Sequence, residues 1–131
     1  MPSTEINFDP KDSVIVVESV LVNKTAKFHS KLVLDTGATY TMISWEMADK
    51  LGLSPEKATE TITFFSASGE VKSPLVKIEK VELEGIVVRN LKAVIHTLPE
   101  GSKVDGLIGL NFLRNFEVNL DFKKGVITLS K

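Results

Sequence analysis

The sequence predicts a mostly β fold with two short helices, built as one domain. Short runs of β-branched and aromatic residues recur along the chain, and apolar and polar side chains alternate in them as in half-buried strands. Turn-forming residues separate these runs, and only two short segments show helical spacing. A length of 131 residues fits one domain. We therefore expect residues 1–131 to form a single domain in which residues 1–12 are an N-terminal arm.

The composition excludes several classes of partner and site. Hydrophobic residues make up 43% of the chain and charged residues 25%, which is typical of a globular domain. The net charge of −1 gives no global field that would attract nucleic acid or an anionic membrane, so we expect neither as a partner. The absence of Cys removes disulfides and thiolate chemistry and fits a reducing compartment. The N-terminus lacks the features of a signal peptide, and we expect a cytoplasmic protein.

The first third of the chain predicts an arm, a hairpin and a strand that ends at an acid. Residues 1–12 are polar around two apolar side chains, as in an edge strand. Residues 14–17 and 20–22 are β-branched runs, and a break at residues 23–25 turns the chain into the next strand. In that strand the side chains alternate, and one face leads towards Asp35: Phe28, Ser30, Leu32 and Leu34.

The middle of the chain predicts a helix followed by a long hairpin. Ser44 stands as the N-cap of a helix over residues 45–51, which Gly52 closes. Strands over residues 59–65 and 74–83 are joined by a small, polar tip at residues 66–70. The apolar positions of the second strand change parity at Glu79 and Lys80, which predicts a bulge or corner there.

The last third predicts further strands and the second helix. Residues 86–95 continue as strand, residues 104–109 form a short apolar strand ended by Gly, and residues 110–115 form a helical turn. The final hairpin pairs residues 126–129 with a strand whose apolar face is formed by Phe116, Val118, Leu120 and Phe122.

The stretch that indicates a function is Asp35-Thr36-Gly37, where a hydrophobic strand runs directly into a carboxylate. Gly37 permits the sharp turn that leaves the strand. A carboxylate at the mouth of a sheet is placed for proton transfer. Taken alone, the same residues also fit a strand that ends in an ordinary Asx-type turn.

Other catalytic arrangements have little support in the sequence. The two His residues, His29 and His96, stand in no metal-binding spacing, so we expect neither a metal nor a cofactor. There is no Gly-x-Ser-x-Gly elbow for a nucleophilic Ser. The remaining Asp residues lack a context comparable to that of Asp35: Asp9, Asp12, Asp49, Asp105 and Asp121.

Two motifs in register resemble the single-domain, retroviral-like (retropepsin-type) aspartic proteases. Asp35-Thr36-Gly37-Ala38 is similar to the catalytic signature of that family. Leu107-Ile108-Gly109 is similar to the hydrophobic-hydrophobic-Gly motif that precedes its C-terminal helix. Residues 107–129 also resemble the protease domain of eukaryotic DNA-damage-inducible ubiquitin-receptor proteins, and the whole resemblance covers residues 14–130.

The resemblance implies a closed, acid-protease-like β-barrel with a flap hairpin, and an aspartic endopeptidase that needs no cofactor. Asp35 would be the catalytic acid, and the Thr36 hydroxyl would brace two active-site loops across a dimer. Gly37 and Ala38 would contact a peptide or protein substrate, as would a flap tip made of Ser66, Ala67, Ser68 and Gly69.

One further pair of positions matches the family, and another pair differs from it. Thr41 and Asn111 match the family and would form a hydrogen bond that locks the two motifs together. Retroviral members place an acid and an Arg in a salt-bridge network at the dimer interface, and the corresponding positions here hold Thr39 and Leu110.

The chemistry requires two carboxylates, and the sequence supplies one Asp-Thr-Gly. One carboxylate deprotonates water while a carboxylic acid polarises the peptide carbonyl. A two-fold homodimer would place Asp35 against its own copy, and the terminal strands at Phe8 and Ile127 are candidates for the interface. The alternatives are a non-catalytic protease-fold dimer that serves as a peptide-binding or assembly module, and a purely structural assembly domain.

Overall fold

The computed structural model describes residues 3–131, with Ser66 described in its backbone alone. The first two residues of the expected arm and the Ser66 side chain therefore lie outside the described residues. Within this range the chain forms ten strands, two α-helices, α1 (Trp45–Lys50) and α2 (Leu110–Leu113), and a 3-10 turn (Pro55–Lys57). The strands are β1 (Ser3–Asn7), β2 (Val16–Asn23), β3 (Ala26–Leu34), β4 (Thr41–Ile43), β5 (Glu60–Ser66), β6 (Gly69–Leu83), β7 (Ile86–Ile95), β8 (Gly106–Ile108), β9 (Glu117–Asp121) and β10 (Val126–Ser130).

The larger sheet closes into a barrel. Its strands lie in the order β2-β3-β8-β4-β7-β6-β5, and an additional pairing of β2 with β6 closes a barrel of six strands. Strand β5 pairs only with the outer half of β6, so the β5–β6 hairpin projects beyond the closed part. This mostly β architecture with two short helices confirms the predicted fold class.

The barrel contains two parallel strand pairs that local sequence patterns do not reveal. Strand β8 pairs with β3 in parallel, and β7 pairs with β4 in parallel. Strands β4 and β8 then pair antiparallel with each other. As a result, the strand that precedes Asp35 lies directly beside the strand that precedes Gly109.

A second sheet of three strands, in the order β1-β10-β9, joins the two ends of the chain. Strand β1 is an edge strand, as predicted for the arm, and its Ile6 is buried. Ile127 on the central strand β10 is fully buried inside the protomer. The Ile127 side chain therefore packs inside the protomer, and the participation of the terminal strands in a dimer interface stays a prediction.

The core follows the alternation of the strands. On β3 the predicted face is confirmed, since Ser30, Leu32 and Leu34 are buried and Lys31 between them is exposed. Each fully buried Leu or Ile contributes about 1.5–3 kcal/mol relative to an exposed side chain. Helix α1 closes one side of the core with Met47 and Ala48. No helix within residues 3–131 has the length and apolar character needed to cross a membrane.

The first helix begins and ends where the sequence predicts. The hydroxyl of Ser44 accepts a hydrogen bond of 3.1 Å from the Met47 amide, which makes Ser44 the N-cap. Gly52 follows the last turn with a φ of +70°, the left-handed conformation that favours Gly after a helix. Both ends of α1 are therefore set by local side-chain and backbone chemistry.

The central hairpin differs from the prediction in two respects. Strand β6 begins at Gly69 and not at residue 74, so the predicted five-residue tip shrinks to a turn at Ala67 and Ser68. The ladder between β6 and β7 is interrupted at Glu79, opposite Asn90, which has a φ of +55°. The register is the same on both sides of this interruption, so the distortion lies at the predicted place but inserts no extra residue.

Strand β9 ends earlier than predicted. It stops at Asp121, and Phe122 in the following turn keeps 62% of its surface exposed. The prediction that Phe122 belongs to the apolar face of that strand is therefore wrong. Its ring makes an edge-on contact with Phe8, at a centroid distance of 6.4 Å.

Candidate active site

The backbone of Asp35 is fixed between two neighbouring segments of the barrel. Strand β3 ends at Leu34, whose amide donates a hydrogen bond of 2.8 Å to the Ile15 carbonyl. The Asp35 amide then donates a hydrogen bond of 2.9 Å to the carbonyl of Ile108 on the adjacent strand β8. This anchoring leaves the half-buried Asp35 side chain at the end of the sheet.

The residues after Asp35 fold back onto its carboxylate. The Gly37 amide donates a hydrogen bond of 2.9 Å to Oδ1 of Asp35, and the Ala38 amide donates one of 3.3 Å to the Asp35 carbonyl. A Cβ atom at Gly37 would lie 3.2 Å from the same Oδ1, a tight contact that Gly avoids. Thr36 and Gly37 are exposed at the tip of this turn, so the loop of residues 35–38 presents one carboxylate with a backbone donor already bound to it.

The two motifs are locked together by the hydrogen bonds of Thr41 and Asn111. Oδ1 of Asn111 accepts hydrogen bonds of 2.9 Å from both the amide and the hydroxyl of Thr41. The Thr41 hydroxyl in turn accepts a hydrogen bond of 3.2 Å from the Gly109 amide. Nδ2 of Asn111 donates a bond of 2.6 Å to the Lys92 carbonyl on β7. The Thr41–Asn111 bond expected from the resemblance is therefore present, and Thr41 is fully buried.

The position of Gly109 requires the absence of a side chain. A Cβ atom there would lie 2.5 Å from the carbonyl carbon and oxygen of Tyr40, a distance that real Cβ atoms do not adopt. The close approach also lets Leu110 and Asn111 donate backbone hydrogen bonds of 2.8 and 3.2 Å to the carbonyls of Ala38 and Thr39. Gly109 thus brings the second motif into direct contact with the loop that follows Asp35.

Asp35 and Thr36 line a partly open cavity of about 510 Å³. Val14 and Phe122 line it and are 48% and 62% exposed, which is unusual for large apolar side chains. Val14 belongs to the segment between β1 and β2, and the same segment brings Asp12 to the cavity.

A second cavity of about 340 Å³ lies between the loop of residues 37–40 and the projecting hairpin. Ile62, Thr63 and Phe64 of strand β5 form the wall opposite the loop, and Met42 and Val94 belong to its lining as well. The hairpin therefore faces the residues that follow Asp35. Its exposed end carries Ala67, Ser68 and Gly69, while Phe65 beside that end is 80% exposed.

One contact at the root of the hairpin is not predicted by the sequence. Nδ1 of His96 lies 2.9 Å from the hydroxyl of buried Ser73, and its ring lies 5.2 Å from the ring of Phe64, measured between centroids. The register of β6 and β7 places Ser73 opposite His96, just past the last paired residues. Pairing register is a long-range property, so the sequence offers no local signal for this contact.

The other acidic residues lie apart from any metal-binding arrangement. The described residues contain no group of three or more His, Asp or Glu side chains that could hold a metal ion. Several Asp side chains instead accept backbone hydrogen bonds in turns, such as Asp9 from the Lys11 amide and Asp121 from the Lys124 amide. The carboxylate of Asp105 accepts a hydrogen bond of 2.9 Å from the Lys31 amide.

Comparison with known proteins agrees with this geometry. The model of a family described as aspartyl protease matches residues 19–112. The chain belongs to the aspartyl protease family. A crystal structure of a retropepsin-like aspartic protease from Rickettsia conorii superposes on 98% of this chain and 89% of its own, with a TM-score of 0.74 and 26% sequence identity. The resemblance to retropepsin-type aspartic proteases is thereby confirmed.

A curated relative is less informative about function. An uncharacterized protein in the cobV 5′ region of Sinorhizobium sp is 28% identical to this member of the aspartyl protease family over 87 residues. The matched region is 66% of this chain and 36% of the relative, so the chain spans about a third of that protein's length.

Proposed function

We propose that the protein is an aspartic endopeptidase that acts as a homodimer, with water activated between two Asp35 carboxylates. The observation that carries this proposal is the loop of residues 35–38. It holds one carboxylate directly after the end of strand β3, beside one cavity, while Gly37 and Ala38 of the same loop line a second cavity with the projecting hairpin. Family membership supports the reaction class, since the protein-family match covers the loop and both motifs.

The proposed mechanism requires the two carboxylates to share one proton. Two carboxyl groups held about 3 Å apart cannot both ionise readily, a behaviour known from aspartic proteases in general. The ionised partner takes a proton from water, and the protonated partner donates a hydrogen bond to the peptide carbonyl. In this proposal Thr36 braces the two loops across the dimer, and the hydrogen bond from the Gly37 amide keeps the Asp35 carboxylate oriented.

The substrate in this proposal is an extended peptide that lies between the loop and the hairpin. An extended peptide binds through backbone hydrogen bonds to exposed strand edges, and β5 is an edge strand. The cavity between residues 37–40 and Ile62–Phe64 would receive an apolar substrate side chain, because its lining includes Met42 and Val94. Ala38 and the hairpin end at Ala67, Ser68 and Gly69 are the proposed substrate contacts, together with the backbone of Ser66.

The test compares two carboxylate variants. Asp35→Asn keeps the size of the side chain and its acceptor for the Gly37 amide but removes the base, so we expect cleavage of a peptide library to fall to background. Asp12→Asn is the matched control, because Asp12 lies at the rim of the same cavity. It should keep the wild-type rate. Circular dichroism and sedimentation of both variants would show that fold and assembly are unchanged.

Two outcomes would contradict the proposal. If Asp12→Asn abolishes cleavage as fully as Asp35→Asn does, one protomer supplies both carboxylates and the homodimeric mechanism is wrong. If wild-type protein binds extended peptides but cleaves none at acid or neutral pH, the protein is a peptide-binding module with the fold of a protease.

A further inference from the structure

The outer surface of strands β6 and β7 carries an unusual arrangement of charge. Two cross-strand pairs join residues of the same sign, Lys77 opposite Lys92 and Lys80 opposite Arg89. Directly opposite side chains have Cβ atoms about 4.5–5.5 Å apart, and like charges at that distance destabilise a sheet. Both like-charge pairs lie on the same two strands, although the chain as a whole has a net charge of −1. We call the surface formed by Lys57, Lys77, Lys80, Arg89 and Lys92 the cationic face.

Little of this charge is neutralised within the protein. Lys92 is paired with Glu60 at 3.3 Å, but both side chains are about half exposed or more, so water screens the attraction. Among residues 3–131, Lys57, Lys77, Lys80 and Arg89 form no ion pair. The Glu79 carboxylate, which accepts a hydrogen bond of 2.8 Å from the Lys24 amide, adds one negative charge beside Lys80 but forms no ion pair with it. The cationic face therefore keeps an excess of positive charge.

The cationic face includes a concave part that could bind carboxylates. A cavity of about 240 Å³ lies between the segment that follows α1 and strands β6 and β7. Lys57, Lys77 and Lys92 line it together with Ser54 and Thr59, so ammonium and hydroxyl donors border the same space. The Glu60 carboxylate also lines the cavity, beside Lys92, and leaves the three ammonium groups in excess over one carboxylate there. Such donors bind anionic oxygens through charge-assisted hydrogen bonds.

We propose that the cationic face is a docking site for a short acidic segment, rich in Asp and Glu, of another polypeptide. We infer an acidic occupant from charge complementarity, because separated ammonium groups match carboxylates that are spaced along an extended chain. The proposal goes beyond peptide hydrolysis, since none of these residues lies in the loop of residues 35–38.

Two observations favour a short acidic peptide over a nucleic acid. Exposed aromatic side chains, on which bases stack, lie elsewhere, at Trp45, Phe65 and Phe122. The neighbouring part of the barrel is acidic, since Glu18, Glu82 and Glu84 line one cavity there. A long polyanion that extended past the cationic face would be repelled by these carboxylates.

The experiment measures binding separately from cleavage by using the Asp35→Asn protein throughout. A fluorescent 12-residue peptide of alternating Glu and Ser is titrated at low and at high salt, and binding is followed by anisotropy. The test variant carries Lys77→Glu and Lys80→Glu, each of which creates an opposite-charge pair with its cross-strand partner and so should leave the fold intact. The control variant carries Lys103→Glu and Lys123→Glu, which make the same change in net charge at exposed sites elsewhere.

We expect the test variant to bind the acidic peptide at least about tenfold more weakly than the control variant, and salt to weaken binding to the parent protein. Equal binding by the two variants would overturn the proposal. Tighter binding of a 12-nucleotide single strand than of the peptide, lost in the same test variant, would also overturn it and assign the face to nucleic acid. Neither result depends on whether Asp35 catalyses hydrolysis.

Discussion

At the scale of single residues, Thr41 connects the two motifs through three hydrogen bonds, two to Asn111 and one from the Gly109 amide. Its hydroxyl donates to Asn111 and accepts from the Gly109 amide, and no part of its side chain reaches solvent. Without this hydroxyl, the buried Gly109 amide has no partner and Asn111 loses a donor. An unsatisfied buried polar group costs about 1–3 kcal/mol.

Thr41→Val should therefore lower the free energy of unfolding by about 1–3 kcal/mol, because Val keeps the shape and removes the hydroxyl. Urea denaturation measures the change. Thr39→Val is the matched control, since the exposed Thr39 side chain lies two residues away, and its effect should stay within about 0.5 kcal/mol. Equal effects of the two substitutions would show that the hydroxyl does not hold the motifs together.

The sequence identified some of these residues without revealing how they interact. The carboxylate and its turn could be predicted because a strand, an acid and a Gly are contiguous at residues 32–37. The role of Gly109 could not, because it depends on the carbonyl of Tyr40, a residue 69 positions earlier in the chain. The contact between His96 and Ser73 could not be predicted for the same reason, since it follows from strand register.

At the scale of elements, the hairpin of β5 and β6 shows where local patterns stop being informative. The small, polar residues 66–70 suit a loop, but they equally suit the ends of two strands that turn tightly, and the structure pairs Ser66 with Gly69. By contrast, α1 was predicted closely because its caps are local. The inner half of β6 pairs with β7, whereas its outer half pairs with β5 alone.

A two-stranded ribbon is marginally stable unless something supports it. The support here lies at the root, where His96 contacts both Ser73 and Phe64. Beyond that point the hairpin extends to Phe65 and the turn with little burial, so we infer that its outer part moves as a flap hinged near His96. A flap that closes over a peptide would exclude water and add backbone hydrogen bonds.

Amide exchange should detect this closure. The amides of residues 66–70 should exchange quickly in the free protein and markedly more slowly when a peptide-like aspartic protease inhibitor is bound, because closure protects the strand edge. The turn at Lys24 and Thr25 is an internal control, since it joins β2 and β3 outside both cavities at the loop. An inhibitor that binds without slowing exchange at residues 66–70 would show that another element covers the substrate.

At the scale of the whole molecule, each protomer offers half of the proposed catalytic pair. A two-fold dimer brings a residue into contact with its own copy only when that residue lies near the axis, so the interface must border Asp35. The exposed apolar side chains Val14 and Phe122 line the cavity that contains Asp35, and Phe8 contacts Phe122. We infer that this surface forms the centre of the dimer interface.

Phe122→Asp should therefore weaken the dimer while leaving the protomer folded. The ring is 62% exposed, so its loss costs the isolated protomer little, whereas a charge at the centre of an apolar interface would be desolvated without a partner. We expect the dissociation constant from sedimentation velocity to rise at least about tenfold. Activity per protomer should fall in parallel at low protein concentration and recover as the concentration is raised, because mass action restores the dimer.

Trp45→Gln on α1 provides the control for this last experiment, since Trp45 is also a large exposed apolar side chain, at 47%, but lies outside the cavity of Asp35. It should leave both sedimentation and activity near wild type. A Phe122→Asp protein that assembles and cleaves like wild type would place the interface elsewhere. A wild-type protein whose activity per protomer stays constant down to concentrations at which only monomer sediments would show that one Asp35 carboxylate acts without its copy.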